Sequence, residues 1–441
     1  MLFLNQWAKA KTGFSSSSLE NKSAFFLFLL YLFFTISQFG IHFWPEFAFI
    51  DGIRSDYLSP TLYFSDFIFI ALFLVRFKDL SRSFRSIAAK SIIAITALLL
   101  IRCFFQDSIL LGAYFLFRII QVVYIAWLAS SFFSERRYYK SLSFTIAISL
   151  LVVGILTFMQ WIHHGSIGGL WYLLGERTFN GSTPGIANAS LLGNLILRPY
   201  ATFPHPNVLG GFIVIFLFYL ITFLKDQLVS KKELVFFLGI ILLSICSLFL
   251  TMSRSAVGAA GGLIIMLAIQ NREKIGVKIM LISILALIGG VLVNPVLASR
   301  FMYFSSEDSA LSTRITLFHD AVTLLKSHLI FGVGLGEFLP ALQRELSPKF
   351  SMLQPVHNSV LLFITELGLP GIAVVVLGWI YGVKTYFMSW MFRREKVLVL
   401  VAIIIIGSLD HYFYSLQQGR VLLGLVLGFL LVKMPSSPSV K

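Results

Sequence analysis

Long apolar runs recur along this chain, and they constrain its fold more than any other feature. A transmembrane helix needs about 20 largely apolar residues. Of the 441 residues, 57% are hydrophobic and only 12% are charged, whereas soluble domains carry about 25% charged residues. The pattern predicts an all-α integral membrane protein with about twelve transmembrane helices. The candidate spans lie near residues 23–41, 60–75, 87–101, 109–133, 141–162, 206–224, 233–250, 255–269, 276–298, 357–383, 397–410 and 419–433.

The basic residues indicate the orientation of these spans. A net charge of +15 would suggest nucleic acid binding in a soluble protein, but here the charges lie in short loops between apolar runs. With the N-terminus inside, 23 of the 35 Lys and Arg residues fall on the cytoplasmic side. We therefore expect both termini in the cytoplasm and no nucleic-acid partner. The outer set is mostly Arg, the better bidentate phosphate ligand, which predicts an anion-binding outer face.

Two predicted outer segments are long. We expect a single transmembrane domain over residues 1–441, with a large, partly helical outer loop at 300–356 inserted between the ninth and tenth spans. This loop contains an amphipathic stretch, Leu311 to Leu329, followed by the glycine-punctuated Phe331 to Phe338. The other segment, His163 to Pro206, is rich in Gly, Ser and Asn and predicts irregular structure. Loops of this length usually carry function.

Several familiar signals are absent from the sequence. The glycines of the GxGxG at 332–336 follow no predicted strand, and Glu337 comes next, which argues against a dinucleotide loop. The outer carboxylates include no DxD pair and no His/Cys cluster has metal-ligand spacing, so we predict neither a metal nor a cofactor. Cys103 and Cys246 should be free thiols. The apolar run after the polar tail 1–22 has no cleavage site and predicts a retained signal anchor.

The strongest candidate for chemistry is His357, directly before the apolar run Ser359 to Ile380. A histidine at the outer mouth of a helix can take a proton near neutral pH, as a general base acting on a sugar hydroxyl must. On a continuous helix, Gly368 and Gly371 fall within roughly 40° of His357, which predicts a small-residue stripe beneath it. The alternative is an interfacial histidine that caps a helix above an ordinary packing groove.

Three arginines lie near the predicted outer ends of spans. Arg254 lies in a very short turn, Arg198 just before the sixth span, and Arg314 early in the amphipathic segment. Three guanidiniums on one side of a membrane suit a diphosphate, which they can bind through bidentate hydrogen bonds. For each arginine alone, snorkelling to a lipid headgroup is the favoured explanation.

Two further pairs of polar residues lie at the ends of predicted spans. Asp66 and Arg118 are predicted at similar depth, so we expect a structural ion pair. Asp410 and His411 follow the eleventh span, where they either orient a base or mark the membrane interface.

Taken in order, these motifs resemble the bacterial O-antigen ligase and polymerase family of membrane glycosyltransferases. The resemblance covers about residues 190 to 372 by motif and the remainder by topology. It rests on Arg198 and the following Thr-Phe-x-His-Pro-Asn-x-x-Gly, on Ser253-Arg254-Ser255, on Arg314 with the later Gly332-Val333-Gly334, and above all on His357-Asn358, nine residues, then Gly368-Leu369-Pro370-Gly371.

The resemblance implies a GT-C-like fold and a metal-independent, inverting transfer without a cofactor. The donor would be a glycan on undecaprenyl diphosphate and the acceptor a hydroxyl of lipid A core or a similar glycan or glycolipid. The site would face the periplasm from the bacterial inner membrane, whose lipids surround the protein. By motif, His357 would be the base, with Arg254, Arg314 and, less firmly, Arg198 as diphosphate ligands. The supporting residues would be Asn358, Gly368, Gly371, His205 and, less firmly, Asp410.

The sequence leaves the exact activity open. A ligase is favoured over a polysaccharide polymerase or a protein O-oligosaccharyltransferase of the same family. A lipid-linked glycan flippase or other transporter is the non-enzyme alternative. Transporters of that kind place polar residues at the membrane midplane in paired broken helices, whereas the polar residues here concentrate outside.

Overall fold

The computed structural model describes residues 19–83, 87–191, 194–224, 227, 230–270, 289, 309–347, 353–382 and 394–432. These residues are predominantly helical, as predicted. The helices are α1 (Leu19–Phe33), α2 (Phe64–Ser83), α3 (Ile87–Cys103), α4 (Ile109–Phe132), α5 (Tyr139–His163), α6 (Leu170–Leu173), α7 (Pro206–Leu224), α8 (Lys231–Leu250), α9 (Arg254–Gln270), α10 (Ser309–Ser327), α11 (Phe338–Leu346), α12 (Ser359–Leu367), α13 (Leu369–Gly382), α14 (Arg394–Leu409), α15 (Tyr412–Ser415) and α16 (Gln417–Leu431).

Two connecting segments contain short strands, which corrects the all-α prediction. The segment between α1 and α2 and the segment between α6 and α7 form small antiparallel pairs, because backbone groups outside helices still need hydrogen-bond partners. Strand β1 (Gly40–His42) pairs with β4 (Thr61–Tyr63), β2 (Phe49–Ile50) with β3 (Ile53–Arg54), and β5 (Asn188–Leu191) with β6 (Asn194–Leu197).

Four of the described helices are long and apolar enough to cross a membrane. They are Ile109–Phe132, Arg136–His163, Pro206–Leu224 and Lys231–Leu250. Shorter apolar helices occur at Ile93–Cys103, Leu369–Gly382, Lys396–Leu409 and Gln417–Leu431. The predicted span 276–298 lies outside the described residues except at position 289, so the count of about twelve stays a prediction. The predicted boundaries 300–356 of the outer loop are likewise described only in part.

The predicted continuous helix after His357 is wrong. Helix α12 ends at Leu367, and α13 begins at Leu369. Between them Gly368 has φ +62° and ψ −140°, a combination that residues with a side chain rarely adopt. Gly371 lies in the first turn of α13, where a Cβ would come 2.9 Å from that of Leu367. The two glycines therefore shape the junction of two helices and form no stripe beneath His357.

The GxGxG segment packs against this junction. A Cβ on Gly332 would come 2.3 Å from the carbonyl carbon of Glu366, so only glycine fits there. The amide of Val333 donates to the Thr365 carbonyl at 3.0 Å, and the amide of Gly334 donates to the Glu366 carbonyl at 3.0 Å. These bonds satisfy carbonyls that the broken helix leaves without helical partners.

The apolar core lies around α7, which is buried on nearly all sides. Helix α16 approaches α4 closely, because a Cβ on Gly428 would lie 2.5 Å from that of Ala129; small residues allow such contacts. A second apolar cluster joins α10 and α11 to α4 and α12 through residues such as Leu317 and Phe338. Most of the amphipathic stretch predicted at 311–329 thus forms helix α10, whose apolar residues pack in this cluster. Cys103 is buried in this cluster, and both cysteines are free, as predicted.

The predicted ion pair between Asp66 and Arg118 is confirmed. The guanidinium binds the carboxylate at two points, with Nη1 2.6 Å from Oδ1 and Nη2 3.0 Å from Oδ2. Gln121 also donates to Oδ1 at 2.8 Å, and Arg118 donates to the Thr61 carbonyl. Both side chains are fully buried. The pair thereby ties α4 to α2 and to strand β4.

Replacing Arg118 by Met should strongly destabilise the fold, because it leaves a buried carboxylate without its cation. We expect a loss of about 3–5 kcal/mol in the free energy of unfolding, measured by thermal or denaturant unfolding of the protein in detergent. Arg137→Met is the control, since the Arg137–Glu135 pair is substantially exposed and such pairs contribute about 0–1 kcal/mol. Equal losses in the two variants would contradict a structural role for the buried pair.

Candidate active site

One cavity of about 350 Å³ collects four of the polar side chains singled out in the sequence. His205, His357, Asp410 and His411 all line it. They come from three separate places, namely the residues before α7, the residues before α12 and the connection between α14 and α15. A cavity of this size lies at the small end of the range for ligand pockets.

Local capping places His357 at this cavity. The side chain of Asn358 caps α12, with Oδ1 accepting from the amide of Leu361 at 2.8 Å, so His357 precedes the helix and does not belong to it. Ser359 donates from its amide and its hydroxyl to the carbonyl of Asp410, at 3.0 and 2.7 Å. Because these bonds join the start of α12 to the end of α14, the rings of His357 and His411 lie 5.3 Å apart.

Asp410 is the buried anion of the site. Its Oδ2 accepts from the Asn207 amide group at 2.8 Å, and its Oδ1 accepts from the His411 backbone amide at 2.8 Å. Burial opposes its ionisation, but the neighbouring histidines, His411 foremost, and the Asn207 hydrogen bond together lower the pKa of Asp410. The carboxylate is therefore ionised, and it can orient groups in the cavity.

Arg198 supports Asp410 indirectly, through Asn207. Its Nη2 donates to Asn207 Oδ1 at 2.7 Å, and its Nε donates to the carbonyl of Thr251 at 2.8 Å. The residue is buried and does not line the cavity. Arg198 thus links the turn before α9 to Asn207 and, through that amide, to Asp410. Asn207 itself entered the sequence analysis only as part of a motif.

The three histidines are neutral in this environment. Burial lowers the pKa of His357 and of His205 to about 3, with His411 as the next cause for His357 and Arg198 for His205. Burial also lowers the pKa of His411. Desolvation disfavours the charged imidazolium, so each neutral ring keeps one unprotonated nitrogen; that of His205, Nδ1, already accepts from the Asn207 backbone amide at 3.1 Å. The Nδ1 atom of His357 is buried and has no hydrogen-bond partner among the residues described.

The other two predicted diphosphate ligands lie outside the wall of the cavity. Arg254 is the first residue of α9, directly after the turn that Arg198 binds. Arg314 lies on α10, and its charge contributes to lowering the pKa of both His357 and His411. Arg314 is therefore close enough to the histidines to act on them through its field.

The rest of the cavity wall was missed by the sequence analysis. It includes Asp56 and Tyr57 from the segment between α1 and α2, and Arg177, Phe179 and Tyr200 from the segment between α6 and α7. Of these residues, only Arg177 was indicated by the sequence, as one of the arginines predicted on the outer side of the membrane. The Tyr57 ring lies 5.5 Å from that of His411, and burial followed by the Asp410 charge raises the pKa of Tyr57. Its hydroxyl therefore stays protonated and can donate.

The described residues contain no group of three or more His, Cys, Asp or Glu side chains arranged to hold a metal ion. The cavity instead combines the buried carboxylate of Asp410, three neutral imidazoles and aromatic side chains, with Asp56 and Arg177 also in its wall. Such a set can accept a proton from a hydroxyl and hold the cation that results next to Asp410.

Comparison with known proteins agrees with the resemblance drawn from the motifs. Residues 239–376 match the family model described as O-antigen ligase, and this range contains His357, Arg254 and Arg314. No curated protein matches the chain. Residues 239–376 are thus similar to the O-antigen ligase family, which is the family that the sequence motifs indicated.

Proposed function

We propose that this protein transfers a glycan from undecaprenyl diphosphate to an acceptor hydroxyl at the outer face of the bacterial inner membrane. The observation that carries the proposal is the convergence of His357, Asp410 and His411 on one cavity. His357 is the base, oriented beside Asp410. Within the family, the ligase activity, with lipid A core or a similar glycan as acceptor, is the one that we favour.

The proposed reaction is a single displacement. The acceptor oxygen attacks the anomeric carbon of the donor sugar, and its proton passes to a nitrogen of His357. The bond between the anomeric carbon and the diphosphate oxygen breaks with both electrons leaving on that oxygen, which inverts the configuration at the carbon. A lipid diphosphate is a good leaving group once cations neutralise it, so the protein supplies positioning, a base and arginines, without a metal or cofactor.

Arg254 and Arg314 are the proposed cations for the diphosphate. Arg314 is half-buried on α10 and acts electrostatically on His357, which suits a donor whose reacting carbon lies near the base. We assign Arg198 a different role from the one that the motif suggested. Because its guanidinium bonds to Thr251 and Asn207, Arg198 positions Asp410 and the turn before Arg254.

Removing the base should abolish most transfer without removing the protein from the membrane. We expect His357→Ala and His357→Gln to lower the rate of glycan transfer by about 10² to 10⁴-fold. His328→Ala is the control, because His328 pairs with Glu345 away from the cavity. Because the pKa of His357 is lowered to about 3, its protonation should not reduce the wild-type rate between pH 7 and pH 5. Normal transfer by well-expressed His357 variants would refute this role.

The proposed binding of the diphosphate by Arg254 and Arg314 can be tested with substitutions that keep the positive charge of the side chain and change its shape. Lys retains the charge of Arg but loses the planar fork that binds two oxygens. Charge-assisted hydrogen bonds contribute roughly 1.5 to 3 kcal/mol each, so Arg254→Lys and Arg314→Lys should each lower transfer about 10 to 100-fold at limiting donor. Arg344→Lys should be nearly silent, because Arg344 is a half-exposed partner of Asp107. Full activity of both Lys variants would mean that neither arginine binds the diphosphate through bidentate hydrogen bonds.

The proposed sidedness has its own test. A reporter active only in the cytoplasm should give signal when fused after Gln227 or Arg394 and none when fused after Ser347, because the basic loops lie inside by the positive-inside rule. Cytoplasmic signal after Ser347 would place the loop at 300–356 on the wrong side of the membrane for a lipid-linked donor delivered outside.

A further inference from the structure

One wall of the cavity is formed by residues outside the segment 239–376, which matches the family model and is called the family segment below. Asp56, Tyr57, Arg177, Phe179 and Tyr200 all line the cavity, yet none falls within residues 239–376. The two segments that supply them are joined at the rim by an ion pair, with Arg177 Nη2 3.2 Å from Asp56 Oδ2. The family segment supplies the base and the two proposed diphosphate ligands, while other parts of the chain shape this wall.

Exposure increases from the base of the cavity to this rim. Asp410 and His411 are each 5% exposed, whereas the side chains of Arg177 and Asp56 are 53% and 55% exposed. A ligand entering the cavity would therefore meet the exposed ion pair before it meets Asp410 and His411. The wall between them is aromatic, with the rings of Phe179 and Tyr200 5.0 Å apart.

The rim pair has hydrogen-bonding capacity that the protein leaves available. A guanidinium has five N–H donors, and the described structure commits one of those of Arg177 to Asp56. The second carboxylate oxygen of Asp56 can accept from a ligand hydroxyl. A planar donor beside an acceptor matches neighbouring hydroxyls of a sugar ring, and the amphipathic ring of Tyr57 offers an apolar face with a polar tip.

We propose that this cavity is the acceptor subsite and that Asp56, Tyr57 and Arg177 recognise the sugar ring that carries the attacking hydroxyl. The inference rests on the proposed function and extends it, since it assigns the two substrates to different walls. The donor diphosphate belongs with Arg254 and Arg314, which lie outside the cavity lining. The acceptor hydroxyl must reach His357, which lies inside it.

This assignment selects the class of acceptor. A sugar ring fills a small cavity walled by aromatic and polar side chains, and its several hydroxyls can satisfy the rim pair and the base together. A serine or threonine of a polypeptide would bring one hydroxyl and leave the rim groups without partners. Sites built to bind substrate hydroxyls discriminate strongly against ligands that lack them. The acceptor is therefore a glycan or glycolipid.

Binding without the donor tests the inference directly. The full-length protein in detergent is mixed with methyl α-glucopyranoside, methyl β-galactopyranoside and methyl α-mannopyranoside, and saturation-transfer NMR measures which sugars contact it. We expect a signal for at least one glycoside and none for the open-chain polyol sorbitol. Arg177→Ala and Asp56→Asn should each weaken the apparent affinity about tenfold.

Arg344→Ala is the matched control, because the Arg344–Asp107 pair is also half-exposed, with 50% and 64% of the side chains accessible, and lies away from the cavity. It should leave the signal unchanged. In a transfer assay with a glycan acceptor, Arg177→Ala should raise the acceptor KM about tenfold while the donor KM stays constant. That split distinguishes recognition of the acceptor from a general loss of structure.

These experiments distinguish a failure of the proposed acceptor subsite from a failure of the proposed glycan-transfer activity. No signal for any glycoside, or equal signals for wild type and Arg177→Ala, would overturn the acceptor subsite even if transfer from the lipid-linked donor is observed. Binding that depends on Arg177 but is accompanied by no transfer would support the sugar site and overturn the proposed function. Equal losses in Arg177→Ala and Arg344→Ala would also overturn the subsite.

Discussion

The buried carboxylate of Asp410 is the interaction on which the site depends. A charge removed from water needs hydrogen bonds, and the Asp410 carboxylate accepts them from the side-chain amide of Asn207 and from the backbone amide of His411. Its carbonyl oxygen accepts twice from Ser359. The residue whose carboxylate is buried in the site is thus also the residue whose carbonyl fixes the start of the helix after His357.

The broken helix gives this arrangement its rigidity. The glycine segment at 332–336 donates amides to the last carbonyls of α12, and the Gly336 amide reaches Glu366 Oε2 at 2.7 Å. Tyr414, four residues beyond Asp410, donates to the same oxygen at 2.5 Å. Hydrogen bonds therefore hold both ends of α12, at the Asp410 carbonyl for its start and at the amides of Val333 and Gly334 for its end.

Three parts of the chain contribute to the site in different ways. The segment matched by the family contains His357, Arg254 and Arg314, the groups that we assign to proton transfer and to the diphosphate. Asp410, Asn207 and Arg198 lie outside that segment and form a hydrogen-bonded chain that reaches its residues Ser359, next but one to His357, and Thr251, in the turn before Arg254. The cavity-lining residues within 56–57 and 177–186 are the third contribution. Because these residues come from irregular segments, the wall that they form can differ in shape without disturbing the buried network, which suits a role in choosing the acceptor.

Hydrophobic length and capping are local properties of the chain, so they were enough to predict most of the helices that the structure describes. The sequence also determined the ion pair of Asp66 with Arg118 and the candidacy of His357 and Asp410, since charges next to apolar runs stand out. Tertiary structure decided that His205, His357 and His411 meet, that Arg198 positions Asp410, that α12 breaks at Gly368, and that Asp56 and Arg177 close the rim. Each of these depends on contacts between segments far apart in the chain. Periodicity and spacing describe neighbours along the backbone, whereas burial and partner choice are properties of the packed fold.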